Sequence, residues 1–106
     1  MVKEYNVNDF STEVLQSELP VLVKFSSPTC YPCKMMVPVM KEAAEKFAGK
    51  LKVGEVDVSK NMPLAEQYKI MAVPALILFD KGDIVKQFVG YLDLEELELT
   101  FGPFLA

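Results

Sequence analysis

Three residue types are missing from the sequence: none of its 106 residues is arginine, histidine or tryptophan. Without histidine the chain cannot form a Ser-His or Cys-His catalytic couple, or offer an imidazole to a metal ion. Without arginine it lacks the planar group that makes paired hydrogen bonds to phosphates and base edges. The formal net charge of −4 also disfavours nucleic-acid binding, which depends on cationic side chains. We therefore expect no metal site and no nucleic-acid partner.

Long hydrophobic runs are scarce as well. No apolar run approaches the about 20 residues that a membrane-spanning helix needs, so we expect no membrane partner. The first residues, Met1–Asn6, show neither an apolar stretch nor a cleavage site, which predicts a chain without a signal peptide. The expected setting is the cytoplasm, which is reducing, and there two cysteines are more often catalytic or metal-binding than structural. The length predicts a single domain over residues 1–106, and we expect a monomer.

Strand-like and helix-like patterns alternate along the chain. Strands are predicted by runs of apolar and β-branched residues at 2–7, 21–26, 51–58, 73–79 and 84–89. Helices are predicted by apolar residues at helical spacing around 10–15, between Cys33 and Gly49, over 61–68 and after Asp93. Pro38 is expected to kink the second helix, and Asn8 or Asp9 to cap the first. This order predicts an α/β fold, a three-layer α/β/α sandwich around a mixed five-stranded sheet with about four helices.

The candidate site is Cys30-Tyr31-Pro32-Cys33, which lies where a buried strand ends and a helix begins. A zinc site is one interpretation, but the motif supplies two ligands and the chain has no further cysteine or histidine to complete four. Two inert buried thiols are another. The position between strand and helix favours a third, a dithiol/disulfide redox couple.

The start of a helix suits this chemistry. Its first turn presents free N–H groups and partial positive charge, which stabilise a thiolate at Cys30. Cys33 lies one turn later, so it can resolve a mixed disulfide intramolecularly. Pro32 fits the first turn because its missing N–H costs little there.

Several further motifs accompany the two cysteines, and together they resemble the thioredoxin family over essentially the whole chain. The matching segments are Val23-Lys24-Phe25, Cys30-Tyr31-Pro32-Cys33-Lys34-Met35, Pro38, Val73-Pro74-Ala75-Leu76, Lys81-Gly82 and Val89-Gly90. The resemblance implies a thioredoxin-like fold and a protein-disulfide reductase.

The resemblance also implies a role for each residue. Cys30 would attack a disulfide of a target protein and Cys33 would resolve the mixed disulfide. The Cys30–Cys33 disulfide would be recycled by a thioredoxin-reductase-type electron donor, with no bound cofactor. Pro74 would follow a cis peptide bond and face the disulfide, and a target segment would pair with the backbone of Val73. The substrate groove would be formed by Thr29, Tyr31, Met71, Ala72, Val73, Gly90 and Tyr91.

The sequence departs from the usual pattern of the family in three places. In the family, a Trp usually precedes the first cysteine and a Gly follows it. Thr29 and Tyr31 stand at these positions. With the uncharged Met71 and Ala72 opposite, they predict a preference for apolar or extended target segments over strongly acidic ones.

The third departure is Lys24, which stands where the family has a buried carboxylate. Glu55 aligns with the lysine that usually pairs with that carboxylate, so the two charges are swapped. A buried ion pair would favour the Cys33 thiolate and relay its proton. The alternative is that the Lys24 side chain reaches the surface and only its stem packs.

Two other functions stay open at this point. A glutaredoxin-like reductase usually carries Pro-Tyr between its cysteines, the reverse of Tyr31-Pro32, and usually lacks the leading strand and helix predicted here. A non-enzymatic binding module on a thioredoxin fold usually loses one of the two cysteines, whereas this chain has both.

Overall fold

Strand β2, Val21–Ser26, lies at the centre of a five-stranded sheet in the computed structural model, which describes residues 2–105. The other strands are β1 (Val2–Tyr5), β3 (Lys52–Asp57), β4 (Ala75–Asp80) and β5 (Asp83–Val89). Their order in the sheet is β1-β3-β2-β4-β5. Strands β1 and β2 run parallel to β3, whereas β4 runs antiparallel to β2 and β5.

Four α-helices cover the sheet within residues 2–105: α1 (Tyr31–Met35), α2 (Val37–Lys46), α3 (Met62–Gln67) and α4 (Leu94–Phe101). Two shorter segments accompany them, a π-helical segment at Ser11–Leu15 and a 3-10 turn at Gly102–Phe104. The predicted mixed five-stranded sheet with about four helices is therefore confirmed. None of the helices in the described range has the length and hydrophobicity that crossing a membrane requires.

Each face of the sheet carries its own hydrophobic core. Successive strand residues point to opposite faces, so Leu22 packs with α2 and α4 while Val23 and Phe25 pack on the other face with the π-helical segment and α3. Lys24 has the same parity as Leu22 and therefore lies on the α2 side. Burial on both faces explains the almost continuous apolar sequence of β2.

The predicted long helix is interrupted at Met36. Pro38 has no N–H to donate to the carbonyl of Lys34, so the helix cannot continue its hydrogen-bond ladder. It restarts as α2, with Pro38 in the first turn, where a missing N–H costs little. Pro38 therefore does more than kink the helix, and α1 becomes a separate short helix.

The first predicted helix is a five-residue π-helical segment, and its expected caps were wrong. No side chain caps this segment. Asn6 instead accepts hydrogen bonds on its side-chain oxygen from the backbone N–H groups of Asn8 (2.7 Å) and Asp9 (3.1 Å). These two bonds form a turn, which ends β1 at Tyr5 rather than at residue 7.

Two of the later boundaries follow from local chemistry. Lys81 and Gly82 both have positive φ, 52° and 88°, and form the tight turn between β4 and β5. Asp93 and Glu96 form a reciprocal capping box at the start of α4, as predicted.

Tyr5 is fully buried on the π-helical side of the sheet, and its hydroxyl has no hydrogen-bond partner among the described residues. Burial, with smaller contributions from the carboxylates of Glu13 and Asp9, raises the pKa of Tyr5 to about 12. Gly54 makes room for the ring, because a Cβ there would overlap Tyr5 and lie 2.7 Å from the Lys3 carbonyl oxygen.

Candidate active site

Cys30 and Cys33 form a disulfide at the start of α1, with Cα atoms 5.2 Å apart. Cys30 is the N-cap residue, in an extended conformation, and Pro32 lies in the first turn. The N–H of Cys33 donates a hydrogen bond to the Cys30 sulfur at 3.2 Å. The same N–H would stabilise negative charge on Cys30 after reduction.

The two sulfur-bearing residues differ in exposure. Cys30 is half-buried, whereas Cys33 is only 2% exposed and belongs to the buried face of the helix. An approaching disulfide therefore meets Cys30 first. This asymmetry is the geometry that a nucleophile and a resolving thiol require.

The opposite wall of the site is the loop before β4. The Val73–Pro74 peptide bond is cis, as the resemblance implied. The Val73 carbonyl oxygen lies 3.7 Å from the Cys30 sulfur. Gly90 donates a backbone hydrogen bond to the Pro74 carbonyl at 2.8 Å, with a φ of 122° that favours glycine. Strand β4 thus begins at Ala75, two residues later than predicted, because Val73 and Pro74 belong to this loop.

The remaining residues of the predicted groove lie on exposed surface near the disulfide. Tyr31 is 72% exposed and Met71 is 93% exposed. Thr29, Ala72 and Tyr91 are also exposed, and the Thr29 hydroxyl lies 3.1 Å from that of Ser27. Exposed apolar side chains such as those of Tyr31 and Met71 suit contact with another protein.

An apolar cleft of about 730 Å³ continues from Val73 along α3. It is lined by α3, by the loops after β2 and β3, and by the loop before β4. The lining residues are Ser27, Val58, Met62, Ala65, Glu66, Lys69, Ile70, Met71, Ala72 and Val73. Only the last three of these residues were predicted from the sequence to lie in the groove. The others include Met62, which is 56% exposed in α3, and the residue pattern gave no signal that α3 borders the groove.

Lys24 lies beneath the disulfide. Its ammonium donates a hydrogen bond to the Cys33 carbonyl oxygen at 3.0 Å and is 3.3 Å from a carboxylate oxygen of Glu55. Its side chain is 2% exposed, so the alternative in which it reaches the surface is wrong. The parallel pairing of β2 with β3 places Lys24 directly opposite Glu55.

A second, more polar cleft of about 200 Å³ reaches from this pair to the surface. It is lined by Glu4, Lys24, Ser26, Ser27, Pro28, Cys33, Lys34, Val37, Glu55 and Asp57. The volume is large enough for several water molecules, since one occupies about 30 Å³ in the liquid. Cys33 belongs to the wall of this cleft, although it is only 2% exposed.

Within residues 2–105, no three side chains of the types His, Cys, Asp and Glu lie close enough to hold a metal ion. The redox-active group that the structure shows at this site is the disulfide between the two sulfurs. A disulfide at a helix start, with one accessible and one buried sulfur and a cis-proline loop opposite, defines a thiol-disulfide exchange site.

Comparison with known proteins assigns the chain to a family. The thioredoxin family model matches residues 1–101. The chain is 44% identical over 93 residues to the thioredoxin of Alicyclobacillus acidocaldarius, covering 88% of this chain and 89% of that protein. It is 42% identical over 91 residues to thioredoxin 1 of a Nostoc species, covering 86% and 85%. Thioredoxin M4, chloroplastic, of Arabidopsis thaliana is 37% identical over 99 residues, 93% of this chain and 51% of that protein.

The chain belongs to the thioredoxin family and is a thiol-disulfide oxidoreductase of the protein-disulfide reductase type. Its redox group is the Cys30–Cys33 disulfide itself, the group that thioredoxins use without a further cofactor. Proteins of this family exchange electrons with disulfide-containing targets and are recycled by a reductase.

Proposed function

We propose that Cys30 is the attacking thiol and Cys33 the resolving thiol in the reduction of target disulfides. The observation that carries this assignment is the asymmetry of the pair: Cys30 is half-buried and accepts the Cys33 N–H at 3.2 Å, whereas Cys33 is 2% exposed. The hydrogen bond and the helix start stabilise a thiolate on the sulfur that a target reaches.

The reaction balances as two thiol-disulfide exchanges. The Cys30 thiolate attacks one sulfur of the target disulfide, forming a mixed disulfide and releasing the first target sulfur as a thiolate. Cys33 then loses its proton and attacks the Cys30 sulfur, which releases the second target sulfur. The target gains two electrons from the cysteine pair, one proton from Cys33 and one from solvent, and becomes a dithiol, and the Cys30–Cys33 disulfide forms.

We propose that the target segment binds as an added strand on Val73. Within residues 2–105, the Val73 N–H makes no hydrogen bond, and its carbonyl oxygen has the Cys30 sulfur as its neighbour at 3.7 Å. An extended peptide running past Cys30 would pair with these free groups. Its scissile disulfide would then lie over Cys30, which supplies the alignment that the exchange needs.

The apolar cleft beside Val73 supports a substrate preference. An extended segment on Val73 would project alternate side chains towards the groove, and the cleft along α3 offers Met62, Ala65 and Met71 to one of them. Methionine side chains adapt to varied partners because they are unbranched and polarisable. We therefore propose targets with an apolar residue near the disulfide, and acidic segments as poor targets.

Membership of the family supports a general proposal for the electron donor and the cellular compartment. We propose that a thioredoxin-reductase-type electron donor recycles the Cys30–Cys33 disulfide, and that the chain acts as a monomer in the cytoplasm. We also propose that residues 1–106 form one domain, which is supported by the two hydrophobic cores that share a single sheet. Sedimentation of the purified protein tests the monomer, and turnover with purified reductases tests the donor.

An insulin-reduction assay with single cysteine variants tests the assigned roles. The wild type is expected to turn over with a reductant, and Cys30→Ser to be inactive. Cys33→Ser is expected to form a mixed disulfide with the target and to stay there, because nothing resolves it. Accumulation of the mixed disulfide in Cys30→Ser instead of Cys33→Ser would reverse the two roles.

A further inference from the structure

Lys24 is a buried charge that the exchange steps above do not use. Among residues 2–105 the buried polar side chains are Lys24 and Asn61, and only Lys24 is charged. Removing an ammonium group from water costs several kcal/mol unless partners compensate for it. Its partners at this depth are the Cys33 carbonyl oxygen and the Glu55 carboxylate.

The positive end of this ion pair faces the active site. The Lys24 ammonium is bonded to the Cys33 carbonyl oxygen at 3.0 Å, and its side chain is 2% exposed. Glu55 lies on the other side of the ammonium and is 31% exposed. Because water screens the exposed carboxylate more than the buried ammonium, the two charges do not cancel at Cys33.

Three more charged groups line the same cleft: Glu4 on β1, Asp57 at the end of β3 and Lys34 on α1. Glu4 and Lys34 are exposed, and Asp57 is half-buried. Solvent therefore screens each of them more than it screens Lys24. Of the charged groups that line this cleft, Lys24 is the most buried, and its ammonium is bonded to Cys33.

We propose that Lys24 is a positioning residue that stabilises negative charge on the reduced cysteine pair and thereby makes the Cys30–Cys33 disulfide a stronger oxidant. The inference rests on the proposed roles of the two cysteines. Reduction breaks their S–S bond with two electrons from two glutathione thiols, whose sulfurs join as glutathione disulfide. The charge left on either cysteine sulfur is stabilised by Lys24, and stabilising the reduced form raises the reduction potential.

Equilibration with glutathione buffers tests the proposal in the intact protein. In Lys24→Met the equilibrium constant for reduction is expected to fall about tenfold, which is about 30 mV for a two-electron couple. This variant is expected to fold, because Glu55 is already partly exposed and can turn to water. Lys24→Arg keeps a permanent charge and is expected to stay within about twofold of the wild type.

Lys52→Met is the matched control. Lys52 is partly buried and, like Lys24, donates to a carbonyl oxygen, that of Glu13 at 2.6 Å, but it pairs with Val21 at the far end of β2. Its removal is expected to leave the equilibrium constant unchanged. The double variant Lys24→Met/Glu55→Leu removes the charge without leaving Glu55 unpaired, and it should show the same fall as Lys24→Met.

Two results would overturn the inference. One is an equilibrium constant in Lys24→Met and in the double variant that matches the wild type. The other is a Lys24→Arg variant that follows Lys24→Met, which would assign the effect to side-chain shape. The roles proposed for Cys30 and Cys33 are tested separately, by measuring insulin reduction in the same proteins with and without Cys30→Ser. Insulin reduction that persisted in Cys30→Ser would contradict those roles, whatever the equilibrium constants show.

Discussion

The Cys30 sulfur lies 3.7 Å from the carbonyl oxygen of Val73, although 43 residues separate them in the chain. The contact joins the start of α1 to the cis-proline loop, and it brings the reactive sulfur to a backbone with free hydrogen-bonding groups. A target strand that bound Val73, as we propose, would be held next to the Cys30 sulfur. The proposed binding surface and the Cys30 sulfur are therefore adjacent. The first two predictions test the reactivity of Cys30 and the binding of targets beside it.

The two thiols of the reduced protein are expected to differ in reactivity. Iodoacetamide at neutral pH should modify Cys30 first, because Cys30 is accessible and Cys33 is 2% exposed. Peptide mapping by mass spectrometry after short reaction times measures this difference. In denaturant the two rates should become similar, which is the control. Equal rates in the native protein would contradict the assigned roles.

Introducing a charge into the apolar groove should weaken target binding. Met71→Glu is expected to lower kcat/KM about tenfold for a peptide disulfide with an adjacent leucine, a loss of about 1.4 kcal/mol. Leu99→Glu is the matched control, since Leu99 is 71% exposed but lies on α4. The rate at which dithiothreitol reduces the Cys30–Cys33 disulfide should be equal in both variants. If both variants kept the wild-type kcat/KM for the peptide, the groove would not bind the target.

Removing one member of the Lys24–Glu55 pair should destabilise the fold more than removing both. Glu55→Ala is expected to cost about 2 kcal/mol, below the about 3–5 kcal/mol of a fully buried pair because Glu55 is partly exposed. Lys24→Met/Glu55→Leu should cost less, since no charge is left unpaired. Urea unfolding of the four members of the double-mutant cycle measures the coupling. Additive effects would show that the two charges do not interact.

Tyr5→Phe should stabilise the protein, or leave it unchanged, because it removes a buried hydroxyl without a partner. It should also change the response to alkaline pH. Since burial raises the pKa of Tyr5 from 10.0 to about 12, the folded state holds its proton when the unfolded state has lost it. Wild-type stability should therefore fall as pH rises from 10 towards 12.

Urea unfolding at several pH values measures that fall, and Tyr5→Phe should show a smaller one. Some dependence should remain, because burial also raises the pKa of Tyr68. Tyr68→Phe serves as the comparison variant. A wild type and a Tyr5→Phe variant with the same slope above pH 10 would contradict the account of Tyr5.

Features that depend on neighbouring residues were predictable from the sequence. The two cysteines at a helix start, the tight turn at Lys81-Gly82 and the capping box of Asp93 with Glu96 each involve groups within a few residues of one another. The order of strands and helices is similarly local, because each element carries its own apolar period. For this reason the fold class and the redox motif follow from the residue pattern alone.

Two local predictions failed where backbone chemistry has competing solutions. Asn8 and Asp9 are good capping residues, but the Asn6 side chain accepted their N–H groups and formed a turn instead. Pro38 was expected to kink one helix, and the chain instead ended α1 and started α2. In both cases the predicted and the observed backbone conformations differ by one or two hydrogen bonds. A pattern of residue types does not show which of two such conformations forms.

The sequence by itself determined the residues of the candidate site: two cysteines one helical turn apart, and a lysine within an apolar strand. Only the tertiary structure decided where their partners lie. Parallel pairing of β2 with β3 placed Glu55 against Lys24, and packing of α1 over β2 placed the Cys33 carbonyl within 3.0 Å of the ammonium. The first contact joins strands 31 positions apart and the second joins a strand to the following helix. Both distances depend on how the elements pack against one another, which no local pattern encodes.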